Sequence, residues 1–312
     1  MRILTLSFLL LFTFSVNAEV IRVIMLGTGT PRPSIERFGQ SILVESGQNK
    51  LLFDVGRGST IRLNQANIPL QDINVVFFTH LHSDHTMGMA DLIFTGWIYQ
   101  RKQTLQIFGP IGTKHFIDKL KEAFKEDIEI RTQPPENLSS NFLRTTVQEI
   151  KSGIIYKKNN LKVTAFNVDH GGGVEHAFGY KIENGKYCIV ISGDTNYSEN
   201  LVSHAKNCDL LIHEIADAPI EVRKNNPKVQ GLMNYHTTPS ELARILEKTK
   251  PRLTLLTHIL ALGGIKPIDI LNKVKKISKN EFNIRIANDL MAVDVKDSIR
   301  IYKIDYSDVE KN

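Results

Sequence analysis

Four residues able to bind a metal stand within six positions of one another: His80, His82, Asp84 and His85. The chain holds 10 histidines in 312 residues, so three of them gathered around an acid ask for a chemical reason. Alternation along an extended segment puts the His80 and His82 rings on the same side, where both can aim at one cation. Asp84 and His85 come just past the turn and can face a second. Imidazole and carboxylate together suit Zn²⁺, and mixed nitrogen and oxygen ligation also admits Fe or Mn.

The elements that must position these groups are legible on either side. Residues 74–79, Asn-Val-Val-Phe-Phe-Thr, form an almost continuous apolar run suited to a strand buried on both faces, and it stops at His80. The second half repeats the arrangement. Strand-like residues 161–168 lead to His170, 187–192 lead to Asp194, and 253–257 lead to His258. Further strands are expected over 20–26, 177–182 and 210–213, with a hairpin from 41–45 and 50–53 around Ser46-Gly47-Gln48-Asn49. Helices are expected over 59–67, near 199–207, and over 239–248 opened by Thr238 or Pro239. Residues 133–140, with Pro134-Pro135, read as an exposed loop. No linker or low-complexity segment divides the chain, so one α/β domain of two sheets with helices outside is the economical reading. The Gly27-Thr28-Gly29 turn does not open a dinucleotide site, because Pro31 and Pro33 stand where its helix would begin.

The His80-Leu81-His82-Ser83-Asp84-His85 run after an apolar strand resembles the signature of the metallo-β-lactamase superfamily. Asp169-His170, Gly193-Asp194-Thr195 and Thr257-His258 follow in the order that the superfamily shows. The resemblance implies a single-domain αββα sandwich, two mixed sheets flanked by helices, over residues 19–312. It implies His80, His82 and His170 on one metal and Asp84, His85 and His258 on a second, with Asp194 bridging. Two divalent cations, zinc foremost, would activate a bridging hydroxide, and Asp84 would belong to the catalytic set as well as to the ligands. Asp54 resembles an acid that orients a ligand histidine, beside the bland reading of a carboxylate satisfied by its own turn.

His213-Glu214 and Tyr235-His236-Thr237-Thr238-Pro239 are similar to motifs of the ribonuclease Z and arylsulfatase branch. There Glu214 and His236 would form a catalytic dyad, with His236 supporting the scissile phosphate or sulfate or protonating the leaving group. Ribonuclease Z proteins usually insert a basic, glycine-rich arm between the His170-like and Asp194-like motifs. Residues 171–193 leave room only for a glycine turn and two strands. Gly29-Thr30-Pro31-Arg32-Pro33, Arg37-Phe38-Gly39, residues 54–58 and Thr95-Gly96-Trp97 look instead like exported arylsulfatase-like members. The leading expectation is an exported hydrolase of sulfate or phosphate esters, including phosphodiesters. The alternatives are a tRNA 3′-processing endoribonuclease, a lactonase or β-lactamase-like hydrolase, and a non-catalytic metal-binding module.

Composition sets the outer limits. With 42% hydrophobic and 23% charged residues the chain is that of an ordinary globular protein. Its net charge of +6 favours small anionic esters without the blockwise excess of a dedicated nucleic-acid binder. Met1-Arg2, an apolar run over 3–16 and Val16-Asn17-Ala18 describe a cleavable export signal over residues 1–18, hence a periplasmic or secreted protein without stable membrane insertion. An oligomer is compatible with all of this. Cys188 and Cys208 lie in apolar runs and are expected as buried free thiols, although export permits a disulfide. His115, His176 and His204 fall outside the ligand set, with His176 near enough to His170 to reach the pocket rim. Trp97 and Tyr99 are expected either to line the cleft or to pack in the core.

Overall fold

A computed structural model describes residues 20–307; the export-signal reading of residues 1–18 lies outside the described residues. The first half runs β1 (Ile21–Gly27), β2 (Ser41–Ser46), β3 (Asn49–Phe53), α1 (Ser59–Gln65), β4 (Val75–Phe77), the one-turn α2 (Ser83–Thr86), α3 (Met89–Ile98), β5 (Leu105–Gly109), α4 (Thr113–Ala123), α5 (Lys125–Arg131) and β6 (Thr145–Glu149). The second runs β7 (Gly153–Lys158), β8 (Leu161–Val168), β9 (Ala177–Asn184), β10 (Tyr187–Ile191), α6 (Glu199–Ala205), β11 (Leu210–Asp217), α7 (Ile220–Asn225), α8 (Pro227–Met233), α9 (Pro239–Thr249), β12 (Leu253–Ala261) and α10 (Pro267–Ile277). Three short strands, β13 (Ile284–Ile286), β14 (Met291–Val295) and β15 (Arg300–Lys303), close the described chain.

Among the described residues these strands form two sheets, ordered β15-β14-β1-β2-β3-β4-β5-β6 and β13-β12-β11-β10-β9-β8-β7. Both sheets are mixed: β3 to β6 run parallel, as do β10 to β13, while the remaining neighbours in each sheet pair antiparallel. The period of two explains why they must stack. Ile21, Val23 and Met25 of β1 enter the core between the sheets, together with Leu210 and Ile212 of β11. Ile24 and Leu26 face the layer of α1, α3 and α4 instead, and Leu211 and Ile215 face α6, α9 and α10. Strands apolar on both faces need cover on both, which gives helix, sheet, sheet, helix: the expected αββα sandwich in one domain.

The parallel strands decide where chemistry can sit, because their C-terminal ends open onto a common edge. Asp54 follows β3, the His80 to His85 segment follows β4, and Asp194 follows β10. A break in register between β11 and β12 pairs Glu214 with Thr257 and Ile215 with Ile259, leaving His258 as the extra residue. His258 takes a left-handed φ of 43°, and this bulge turns its ring toward the edge. One wall of the same edge is the loop from residue 28 to 38, held by the buried carboxylate of Asp289. Its Oδ1 accepts from the Thr28 backbone N–H at 2.9 Å and the Thr28 hydroxyl at 2.8 Å. Its Oδ2 accepts from the Phe38 backbone N–H at 2.8 Å and from Arg62 Nε at 3.1 Å.

Candidate metal centre

The site assembles from five loop ends, and close backbone packing brings them together. A Cβ on Gly56 would stand 2.5 Å from the Asp84 carbonyl oxygen and 2.3 Å from the Gly39 backbone, so only glycine lets those loops meet. Gly193 precedes Asp194 at φ +62°, and a Cβ there would come within 2.6 Å of the Phe178 carbonyl oxygen.

Two groups of donors result. His80 Nε2 and His82 Nδ1 converge to 2.9 Å, and His170 Nε2 lies 3.2 Å from that same His82 nitrogen. Beside them, His258 Nε2 stands 3.0 Å from Asp84 Oδ2, and His85 Nε2 stands 3.7 Å from it. Asp194 Oδ2 lies between the groups, 3.5 Å from both His85 Nε2 and His258 Nε2. Donor atoms of His80, His82 and His170 fall within 4.8 Å of one another, as do those of Asp84, His85 and His258, and those of His80, His85 and Asp194. The seven residues expected from sequence therefore share one place, all buried except His82, which faces solvent.

The far side of most rings is tied down. Asp54 Oδ2 meets His85 Nδ1 at 2.8 Å, while its Oδ1 accepts from the Thr79 N–H at 2.8 Å and its Oδ2 from the Thr79 hydroxyl at 2.9 Å. Asp54 thus orients a site histidine, and its carboxylate is satisfied by the Thr79 backbone and hydroxyl, not by the residues of its own turn. Thr79 Oγ1 lies 3.0 Å from His80 Nδ1, and the Tyr235 carbonyl lies 3.1 Å from His170 Nδ1. With those nitrogens engaged, the opposite nitrogen of each ring is the one presented inward.

Charge makes the case for cations. Burial, with neighbouring histidines, pushes the His80 pKa well below its ordinary value. Partial desolvation on the inward side, with His170, lowers that of His82. Both are held as neutral imidazoles, the form that ligates a metal. Asp194 is held far below the carboxylate range: burial opposes its charge, but His258 and His85 outweigh it. His85 is pushed well up, because Asp194 and Asp54 overcome its burial. Its Nε2, fully buried, has no hydrogen-bond partner. Buried carboxylates facing unpartnered imidazole nitrogens want positive charge placed between them. The side chains fit a dinuclear metal site, three nitrogens on one side and two nitrogens with a carboxylate on the other.

Next to these donors stand Glu214 and His236. Glu214 Oε2 lies 3.2 Å from His236 Nδ1, and its Oε1 accepts from the Thr237 N–H at 2.7 Å. A cavity of about 260 Å³ opens over the site between Pro31, Ser83, Leu232, Tyr235, His236 and Leu260.

A family model described as Anti-Pycsar protein Apyc1 matches residues 21–258, the whole span from β1 to the last of these histidines. The chain belongs to that family. Within the metallo-β-lactamase superfamily it stands in the ribonuclease Z branch. The ribonuclease Z of Mycobacterium sp. (strain KMS) is 30% identical over 243 residues, covering 77% of this chain and 85% of the relative. Among solved structures, the metallo-β-lactamase fold protein YhfI from Bacillus subtilis superposes with a TM-score of 0.67 at 20% identity, over 89% of this chain and 100% of its own. The short form of human tRNase Z gives 0.64 at 23%, over 88% and 99%. A member of this family with its donor set in place is a metal-dependent hydrolase.

Several expectations are corrected or sharpened. Trp97 does not line the cleft: it is a fully buried residue of α3, with Nε1 donating to the Ser139 carbonyl at 3.0 Å. Tyr99 is 62% exposed and borders a different cavity, beside α1. His176 is exposed and borders neither the site nor its cavity. Both thiols are free, Cys208 buried and Cys188 only partly so. His213 is wholly buried, with Nδ1 2.6 Å from the Glu214 carbonyl, and is in none of the donor groups. Sequence reasoning missed Thr79, which braces Asp54 and His80, and the cavity walls Leu232 and Leu260. Thr79 had a signal, as the polar residue closing an apolar run; the two leucines had none.

Proposed function

We propose that this chain is a binuclear phosphodiesterase of the ribonuclease Z type, acting on phosphodiester bonds of ribonucleotides. The observation that carries the reading is the Glu214–His236 pair set beside a complete double donor set. His80, His82 and His170 would hold one cation, and Asp84, His85 and His258 the other, with Asp194 shared. The donors favour zinc, and manganese or iron suit the same set. Two such cations lower the pKa of bound water and offset the charge that gathers on the phosphoryl oxygens.

The rest is done by side chains. Glu214 fixes His236 through Nδ1, so its Nε2 is left for the cavity. Burial works against a charged ring, but Glu214 and then Asp194 raise the His236 pKa to about 9. The ring is therefore protonated at neutral pH and can give its proton to the departing ester oxygen. Asp84 is kept ionised, its burial outweighed by His258 and His85. Residues 171–193 fold into a glycine turn and the β9–β10 hairpin. An RNA would thus be gripped near its scissile bond and not by a projecting arm.

The arylsulfatase-like reading rests on loop motifs alone, and none of the relatives named above is a sulfatase. A screen of metal-loaded protein decides between them: bis(p-nitrophenyl) phosphate, precursor tRNA, p-nitrophenyl sulfate, a lactone and a β-lactam. We expect turnover of the phosphodiester and of RNA at rates at least about 100-fold above the sulfate. Sulfate turnover with inert phosphodiesters would overturn the reading.

We also place the mature protein outside the cytoplasm, on the strength of residues 1–18. Protein recovered from the exported fraction should begin at Glu19 on N-terminal sequencing. A chain that keeps Met1 and stays in the cytoplasm would refute this.

A further inference from the structure

A second cavity of about 540 Å³ adjoins the metal cavity, the two sharing Pro31, Leu232 and Leu260 in their walls. Its size falls within the range that small-molecule sites occupy. Its floor is aliphatic: Leu232, Ile259, Leu260, Ala261, Leu262 and Ile265. These residues are only partly buried, so they turn apolar surface to an open groove that the core does not use. The opposite wall is the 28–38 loop, which Asp289 ties to the body of the protein. Arg37 is already spent there, donating to Thr28 Oγ1 and the Ala287 carbonyl, each at 2.8 Å. Arg32 and Lys266 stand exposed at the rim, and neither is in an ion pair among the described residues.

We infer that this groove is a specificity subsite that takes a flat apolar arm, aromatic in character, carried by one ester oxygen of the substrate. The inference rests on the phosphodiester reading and deepens it. Three things select this occupant. The groove adjoins the cavity over the metal donors, so a ring borne through an ester oxygen of a phosphoryl group held there lies within reach of it. Its aliphatic floor gains from a flat apolar ring and offers a sugar's hydroxyls no partner, so in a ribonucleotide the base and not the ribose enters it. Its rim cations suit an anionic ester whose charge lies near the mouth. Because Asp289 fixes the facing loop, the slot is preformed and need not be ordered on binding.

A monoester carries a single arm and so tests the groove without ambiguity. Zinc-loaded protein is titrated calorimetrically with inorganic phosphate, methyl phosphate and phenyl phosphate. Phenyl phosphate should bind about tenfold more tightly than methyl phosphate, the gain from burying roughly 55 Å² of apolar surface. Ala261→Phe, which fills the groove, should cut that ratio to within about twofold. Ile265→Ser, which makes the floor polar, should cut it in the same direction and serves if the first variant fails to fold, zinc content being the check on both. Equal affinities for the two esters in the unaltered protein, or variants that weaken both esters alike, overturn the groove while leaving the phosphodiester reading intact. Protein that binds none of the three ligands and does not hydrolyse bis(p-nitrophenyl) phosphate overturns that reading, and the groove with it.

Discussion

Asp194→Ala abolishes turnover, by about 10³-fold or more, and leaves the protein unable to hold two equivalents of metal. The reason lies in its position. Asp194 Oδ2 is equidistant from His85 Nε2 and His258 Nε2, and the carboxylate also groups with His80. Among the described residues it is thus the only acid that groups with donors of both sides. Removing it leaves three imidazoles on one side and two imidazoles with a single carboxylate, Asp84, on the other. His85 Nε2 then loses the carboxylate oxygen that stands 3.5 Å from it. Asp194→Asn is the sharper variant, since it keeps shape and loses charge. It should lose metal nearly as completely, measured by plasma emission on dialysed protein. A variant that retained two equivalents and most of its activity would remove Asp194 from the centre.

The second large effect is on pH. Glu214→Gln should move the alkaline limb of kcat/KM from near pH 9 to lower pH. The sign follows from the opposing causes. Burial alone lowers the His236 pKa, and the Glu214 charge, followed by Asp194, lifts it to about 9. Neutral glutamine removes the larger support, so the ring deprotonates at lower pH and the acid form is lost sooner as pH rises. His236→Ala should cost about 10²–10⁴-fold on esters with alkoxide leaving groups, the range for a positioned general acid. It should cost far less on p-nitrophenyl esters, whose leaving group needs no proton. Equal losses on both kinds of ester, with an unmoved alkaline limb in Glu214→Gln, would confine His236 to packing or to charge stabilisation alone.

The metal donors were legible in the sequence because each sits where an apolar strand stops, and a strand end is a local signal. Helix α9 was legible for a similar reason. Thr238 caps it and Glu241 closes the capping box, with the Thr238 side chain accepting from the Glu241 N–H. Helices α7 and α8 bury only Met233 between them, so no apolar period announces them. Helix α10 carries three buried apolar residues among four lysine and asparagine positions, a pattern too diluted to stand out. The strand expected over 74–79 ends at Phe77, since Thr79 turns its N–H to Asp54 instead of to a neighbouring strand. What sequence could not supply was the meeting of separate loops. The Tyr235 carbonyl on His170, Asp289 under the 28–38 loop and the leucines over the cavity all pair residues 60 or more positions apart along the chain, or lack any chemical mark of their own.

The central claim is that one buried constellation holds two cations and that hydrolysis depends on the pair. Protein stripped with a chelator and titrated with Zn²⁺, with bound metal and bis(p-nitrophenyl) phosphate turnover followed together, tests it most directly. The account predicts saturation at two equivalents per chain, with activity rising to its plateau at that point. Saturation at one equivalent or fewer, or full turnover in the stripped protein, would contradict it.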